Sequence, residues 1–204
     1  MKMSSKTKSG NASKTSQEHW NQVSKNLDKF YVNNPYFQYK KEELLQLINQ
    51  WSGNKLDKKI LKTDLYEEAT GCDDFLFDIA QNNQEVYGID ISPEIVKKAK
   101  NKEKIKNTKI NFSVQDVRKL EFPDNSFDLI ISNSTLDHFP EVDIAIKELY
   151  RVLKSNGILI LTLHNKRNPL LYLLLKITKL FNWHHNFYSD GTYSIKETKF
   201  LMQK

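Results

Sequence analysis

The sequence predicts an α/β fold, a doubly wound and mostly parallel sheet of about five strands. Three observations carry that prediction. From residue 59 onward, strand-like and helix-like segments alternate. The later strand candidates, 127–132 and 158–163, are nearly continuous apolar runs, as expected of strands covered on both faces. The helical connections between strands imply right-handed crossovers, which make neighbouring strands parallel.

Each element has its own local reason. Ile60-Leu61-Lys62-Thr63-Asp64-Leu65 is a short first strand, and residues 75–80 read as a helix. Glu85-Val86-Tyr87-Gly88-Ile89-Asp90 is the second strand. Ser92 then suits an N-cap, with Pro93 at the first helical position and a helix through 95–104. Residues 110–114 form the third strand and 127–132 the fourth. Ile144, Ile146, Leu149, Val152 and Leu153 mark the apolar side of the next helix, and Asn156-Gly157 turns into the fifth strand at 158–163. Upstream, 20–51 reads as helical, interrupted near Pro35 after a short segment with Phe30 and Tyr31. It presents Leu44, Leu45, Leu47 and Ile48 on one face and stops at Gly53. Ser194-Ile195-Lys196-Glu197 is a capping box.

The chain of 204 residues is long enough for one domain with a proper core. It divides into a disordered basic tail at 1–18, an N-terminal helical cap at 19–56, the sheet core at 57–165 and a helical lid or substrate region at 166–204. The net charge of +6 owes much to Lys2, Lys6, Lys8 and Lys14 in the tail. The remainder is close to neutral, which argues against a nucleic-acid partner. A single cysteine, Cys72, excludes a disulfide framework and suits the cytoplasm. The N-terminus has no apolar signal-peptide core, and no metal-ligating constellation stands out. The apolar stretch 169–183 is interrupted by Lys176 and Lys179 and is too short to cross a bilayer. It reads as a buried helix, a lid, or a peripheral membrane contact through 170–183.

In a parallel sheet of this kind ligands bind beyond the carboxyl ends of the strands. Asp90 ends the second strand, where an acid accepts hydrogen bonds from ribose hydroxyls. Asp116, followed by Val117, comes just after the third strand. Its carboxylate suits an exocyclic adenine amine, and the Val117 N–H suits the ring. Ser132-Asn133-Ser134-Thr135 follows the fourth strand with small polar groups. Each of these is also an ordinary cap or turn residue; their order at successive strand ends is what favours a nucleoside.

These segments resemble class I (Rossmann-like) methyltransferases that use S-adenosylmethionine, of the methyltransferase type 11 kind. Val86-Tyr87-Gly88-Ile89-Asp90-Ile91-Ser92-Pro93-Glu94 is similar to the family's second-strand motif. Residues 127–133 with Leu136-Asp137-His138-Phe139 resemble its fourth-strand segment, and 148–157 its helix and glycine turn before the fifth strand. The resemblance implies that Asp90 holds the ribose diol, Ile91 packs on adenine, and Asp116 with Val117 reads the adenine edge. It also implies that residues from Asn133 to His138 lie beside the transferring methyl group.

Two departures stand out. In place of the family's acidic residue and glycine-rich first turn, the chain reads Leu61-Lys62-Thr63-Asp64-Leu65-Tyr66-Glu67-Glu68-Ala69-Thr70-Gly71. Asp64 then supplies the acid for the cofactor's amino group, and Gly71 the turn. The usual last two strands are also missing, which points to a truncated sequence and leaves the fifth strand with an apolar edge suited to pairing with another chain.

The function expected is methyl transfer from S-adenosylmethionine to a small-molecule or glycan- or lipid-linked acceptor. The alternative is a non-catalytic remnant serving as a cofactor-binding or protein-interaction module. A nicotinamide-dependent oxidoreductase would need G-x-G-x-x-G where this chain has acids. His138 is the best-placed general base, ahead of His164, His184 and His185.

Overall fold

The computed structural model describes residues 16–25, 35–52, 58–81, 85–165, 167–169, 173, 176–177 and 192–202. Helix α1 covers 16–25 and α2 Pro35–Ser52. Then follow β1 (Lys59–Lys62), α3 (Tyr66–Thr70), α4 (Phe75–Gln81), β2 (Glu85–Asp90), α5 (Pro93–Lys106) and β3 (Asn111–Val114). After β4 (Phe127–Asn133) come a 3₁₀ turn (Leu136–His138), α6 (Val142–Val152), β5 (Leu153–Thr162) and α7 (Ile195–Leu201). The five strands pair in the order β3-β2-β1-β4-β5, and every pairing is parallel. This is the doubly wound sheet that the alternating pattern predicts.

Period-two alternation sorts the strand residues onto two cores. Ile60, Val86, Leu129, Ile131 and Ile160 face α3, α4 and α5, where Phe75, Leu76, Ile95 and Ala99 are buried. Their neighbours Leu61, Ile89 and Ile130 face the opposite way, onto Val142, Ala145, Ile146, Leu149 and Val152 of α6. Leu44 of α2 joins the first core. Gly88 in β2 has a packing reason: a Cβ there would come 2.7 Å from Leu65 Cδ2 and 3.0 Å from Leu76 Cδ2.

Local signals set most boundaries. Ser92 Oγ accepts from the Ile95 N–H at 3.3 Å, with Pro93 opening α5. Ser194 and Glu197 form the reciprocal capping box of α7. Two strands differ from expectation. β1 ends at Lys62 rather than Leu65, because the Leu65 N–H is taken by the Asp90 carboxylate at 3.1 Å. β5 begins early, since Leu153 pairs with Phe127 before an irregularity and the main register resumes at Ile158 opposite Leu129.

Helix is already present at residues 16–18, so the predicted tail is shorter there; 1–15 lie outside the described residues, as do Phe30 and Tyr31, His184 and His185, and most of 170–183. In the sheet order β5 is terminal, and Tyr193 bridges Asn165 just beyond its end. No helix among the described residues is long and apolar enough to cross a membrane.

Candidate functional site

After β1 the chain first builds outward through β2 and β3, then returns to the other side of β1 with β4. The switch point, and hence the crevice, lies beyond the carboxyl ends of β1 and β4. Those ends are stitched together. The Thr63 N–H donates to Ile131 O at 3.0 Å, the Thr63 hydroxyl donates to Ser132 Oγ at 3.0 Å, and Thr135 Oγ1 lies 3.3 Å from Thr63 Oγ1.

At the centre of the β1 end is a buried ammonium. Lys62 is 1 % exposed, and its Nζ donates to Asp64 O and Oδ1, both at 2.9 Å, to Glu67 Oε2 at 3.2 Å and to Glu68 Oε2 at 2.9 Å. Lys40 reaches in from α2 to Glu67 Oε1 at 3.0 Å. Burial opposes the charge on Lys62, but Asp64, Glu68 and Glu67 outweigh it and hold its pKa well above the ordinary lysine value. Burial also opposes the charge on Glu67, yet Lys62 and Lys40 keep this carboxyl far below its usual range. Glu68 goes the other way. Burial, with Glu67 and Asp73 nearby, pushes it up to about 7. Asp64 is likewise raised, chiefly by burial and despite Lys62. Asp64, Glu67 and Glu68 bring their oxygens within 4.8 Å of one another, as metal ligands would, but the Lys62 ammonium supplies the positive charge between them.

Asp90 lies at the end of β2, as predicted, and is buried. Its Oδ1 accepts from the Ser92 N–H at 2.8 Å and its Oδ2 from the Leu65 N–H at 3.1 Å. Burial raises its pKa to about 6 against the pull of those two donors. The neighbouring Ile91 is half-buried, and its carbonyl accepts from Gln17 Nε2 of α1 at 2.9 Å. The Gln115 N–H donates to Asp90 O at 3.0 Å, so Asp90 and Asp116 share one edge of the sheet. The Asp116 carboxylate is gripped by Arg118, whose Nε and Nη2 lie 2.9 Å and 2.8 Å from its two oxygens. Arg118 continues to Glu141 Oε2 at 2.9 Å. Val117 is buried in the α6-side core. Gly71 caps α3 in the left-handed region (φ 80°), and a Cβ there would meet the Lys102 side chain. Its conformation is thus explained by the helix end.

On the β4 side, Asn133 is buried and bridges two elements. Its Nδ2 donates to Glu67 Oε1 at 3.1 Å, and its Oδ1 accepts from Thr162 Oγ1 at 2.7 Å. Ser134 then adopts φ 50°, uncommon for a residue with a Cβ, and its N–H donates to Thr162 Oγ1 at 2.9 Å. His138 is half-buried and meets Trp20 of α1 edge to face, with ring centroids 4.9 Å apart. Trp20 also meets Tyr66 at 6.1 Å, and Asn21 accepts from the Ser92 hydroxyl at 2.5 Å. Helix α1 therefore lies across the crevice from β2 to β4.

The structure thus brings Asp64, Asp90 and Asn133 to one crevice, with Asp116 at its β3 side and Gly71 behind α3. Sequence reasoning missed Lys62 as the organising cation, Lys40, Glu67, Glu68, and the pairing of Asp137 with His164. A lysine between Leu61 and Thr63 in a strand buried on both faces was the available signal for the first.

A family model described as a methyltransferase domain matches residues 69–161. Over 83 residues the chain is 41 % identical to 2-methyl-6-phytyl-1,4-hydroquinone methyltransferase of Synechocystis sp., covering 41 % of this chain and 26 % of that protein. Over 129 residues it is 30 % identical to demethylmenaquinone methyltransferase of Porphyromonas gingivalis, covering 60 % of this chain and 48 % of that one. The chain thus spans less than half the length of either relative. Among solved structures it shares the fold of the N-methyltransferase NodS from Bradyrhizobium japonicum WM9 in complex with S-adenosyl-L-homocysteine, with a TM-score of 0.66, 16 % identity, and coverage of 92 % of this chain and 84 % of that one. The matched span opens at Ala69, so β1 and the Lys62 cluster lie just before it. Residues 69–161 thus match the methyltransferase domain family, on a sheet whose order and switch-point crevice are those of a fold shared with a solved N-methyltransferase.

Proposed function

We propose that this chain binds S-adenosylmethionine and transfers its methyl group to a small-molecule or glycan- or lipid-linked acceptor. The observation that carries the reading is the acid-rich crevice at the switch point, where Asp64, Glu67 and Glu68 surround the β1 end and Asp90 closes the β2 end. The donor set fits the cofactor. Each Asp90 oxygen accepts one backbone N–H and retains a lone pair for a ribose hydroxyl. Ile91 packs on adenine, Asp116 and the Val117 N–H read its edge, and Asp64 accepts from the α-ammonium. Asn133 orients Glu67 beside it, and Gly71 enters only by ending α3. A bound S-adenosylmethionine supplies a methyl group on an already activated sulfonium. The protein's task is then alignment, and proximity and orientation contribute most of the rate.

Two imidazoles, His138 and His164, follow the ends of β4 and β5 and are the candidates for accepting a proton from an O–H or N–H acceptor. A cytoplasmic location and peripheral membrane contact through 170–183 belong to the same reading. In support of the contact, Leu173 and Ile177 are 54 % and 42 % exposed.

Isothermal titration of the whole chain with S-adenosylmethionine and S-adenosylhomocysteine tests the proposal. Dissociation constants in the micromolar range are expected. Binding weaker than millimolar would reject the enzyme and leave a non-catalytic module. An Asp90→Ala variant that binds like the wild type would reject the ribose placement.

A further inference from the structure

Asp137 and His164 take no part in the cofactor contacts above, and they come from different strand connections. Asp137 lies in the 3₁₀ turn after β4, and its side chain is fully buried. His164 follows the end of β5. The register that pairs Asn133 with Thr162 sets the two strand ends side by side, so residues just past each meet. His164 Nδ1 forms an ion pair with Asp137 Oδ2. A buried carboxylate is costly unless paired, and pairing it to one ring nitrogen fixes both the ring orientation and the tautomer.

The dyad also sits in the right place. Thr162 bonds Asn133, Asn133 bonds Glu67, and Glu67 bonds Lys40. His164 therefore lies at the β4–β5 side of the acid cluster. The charged groups that act on it are Asp137 from the 3₁₀ turn and Lys40 from α2. Its hydrogen bond to Asp137 raises its proton affinity, while burial and Lys40 work against that. Nδ1 is buried, yet the side chain is 38 % exposed, so the ring is open away from Nδ1, and Nε2 is its remaining nitrogen. His138, by contrast, packs its ring against Trp20.

We propose that Asp137 and His164 form the proton-accepting pair of the methyl transfer, with Nε2 of His164 as the base. This rests on the methyltransferase reading. As the acceptor's lone pair bonds to the methyl carbon, the carbon–sulfur bond breaks and its electrons stay on sulfur. The acceptor's proton passes to Nε2, and the resulting imidazolium is held by Asp137. Asp137 is the positioning residue and His164 the catalytic one.

The test uses the full chain with ¹⁵N-labelled histidine and two variants, His164→Gln and Asp137→Asn, each checked for folding by circular dichroism. NMR titration should find neutral His164 protonated on Nδ1, with a midpoint above the ordinary 6.5 that falls in Asp137→Asn. Methyl transfer to catechol, a phenolic probe that must lose its proton, should drop about 100-fold or more in His164→Gln, while S-adenosylhomocysteine affinity stays within about twofold of wild type, since the dyad lies outside the cofactor contacts. A His164 that titrates at an ordinary midpoint, or that is protonated on Nε2 when neutral, overturns the proposal. Undiminished catechol methylation by His164→Gln also overturns it. Failure of the wild type to bind S-adenosylhomocysteine sinks the methyltransferase reading instead, and the NMR result still judges the dyad. If the wild type leaves catechol unmethylated, the NMR result decides.

Discussion

Replacing Lys62 by methionine should be among the most damaging single changes available to this chain. The side chain is 1 % exposed and donates to four acceptors, three of them carboxylate oxygens. Methionine fills a similar volume but supplies no charge. Glu68, itself fully buried, then keeps only the Leu76 N–H at 3.2 Å, and Glu67 keeps Lys40 and Asn133. Removing one partner of a buried ion-pair cluster costs about 3–5 kcal/mol, because the partners left behind are buried and uncompensated. The sign of the pH dependence follows. Without Lys62 the orphaned acids hold protons more tightly when folded than when unfolded, so the stability they contribute is present at low pH and is lost as pH rises. The variant's deficit should therefore be small near pH 5 and reach its full size near pH 8. Urea midpoints of both proteins across that range measure it. A deficit below about 1 kcal/mol at pH 8, or one that does not change with pH, would refute the idea that Lys62 neutralises this cluster.

Three further outcomes are expected. Asp90 titrates at about 6 when folded against 3.8 ordinarily, so its stability contribution is present below the lower value and lost as pH rises through the upper one. Asp90→Asn should remove that slope, moving the variant–wild-type difference toward the variant by about 3 kcal/mol between pH 4 and pH 7.5; parallel urea curves would contradict it. Binding of S-adenosylhomocysteine should release protons and tighten as pH rises from 6 to 8, because Asp64 and Glu68 are raised carboxyls that an incoming ammonium would deprotonate. Titration in phosphate and in Tris, whose ionisation heats differ, reads the release, and identical apparent heats would count against it. Gly88→Ala places a Cβ 2.7 Å from Leu65 Cδ2 and 3.0 Å from Leu76 Cδ2. Overpacking of that size should cost about 1–3 kcal/mol, and an unchanged melting temperature would show that these side chains yield freely.

What the sequence revealed was what depends on near neighbours. The Ser92-Pro93 cap, the Ser194–Glu197 box and the apolar β4 run are each set by residues within a few positions, and each is found where the pattern put it. The switch-point rule then carried Asp90 and Asn133 to one crevice without any pairwise knowledge, and the family resemblance added Asp64. What escaped was long-range pairing. Nothing near Lys40 in the chain announces Glu67, 27 positions away. The Asp137–His164 contact exists only because β4 and β5 run parallel in a register that pairs Asn133 with Thr162. The end of β1 was misread for the same reason: Thr63-Asp64-Leu65 looks strand-like locally, and the Asp90 carboxylate from another unit claims the Leu65 N–H.

Electrostatics also explains why an altered first turn is compatible with the fold's usual place for a ligand. Four acids, Asp64, Glu67, Glu68 and Asp73, act on one another there, with Lys62 and Lys40 as the facing cations. The acids outnumber the cations, and the difference is absorbed by raised carboxyl pKa values that keep protons in place. Such a site is unfavourable for pyrophosphate, which wants backbone N–H groups and positive charge. A ligand that brings an ammonium and a sulfonium meets the opposite situation. It can exchange its positive charge for the bound protons at little desolvation cost, because the carboxylates are already buried and oriented. Lys62 is then what allows those acids to be held so close before any ligand arrives. A surplus of buried carboxylates makes the crevice favourable for a cation, and Lys62, helped by Lys40 at Glu67, holds it together before one arrives.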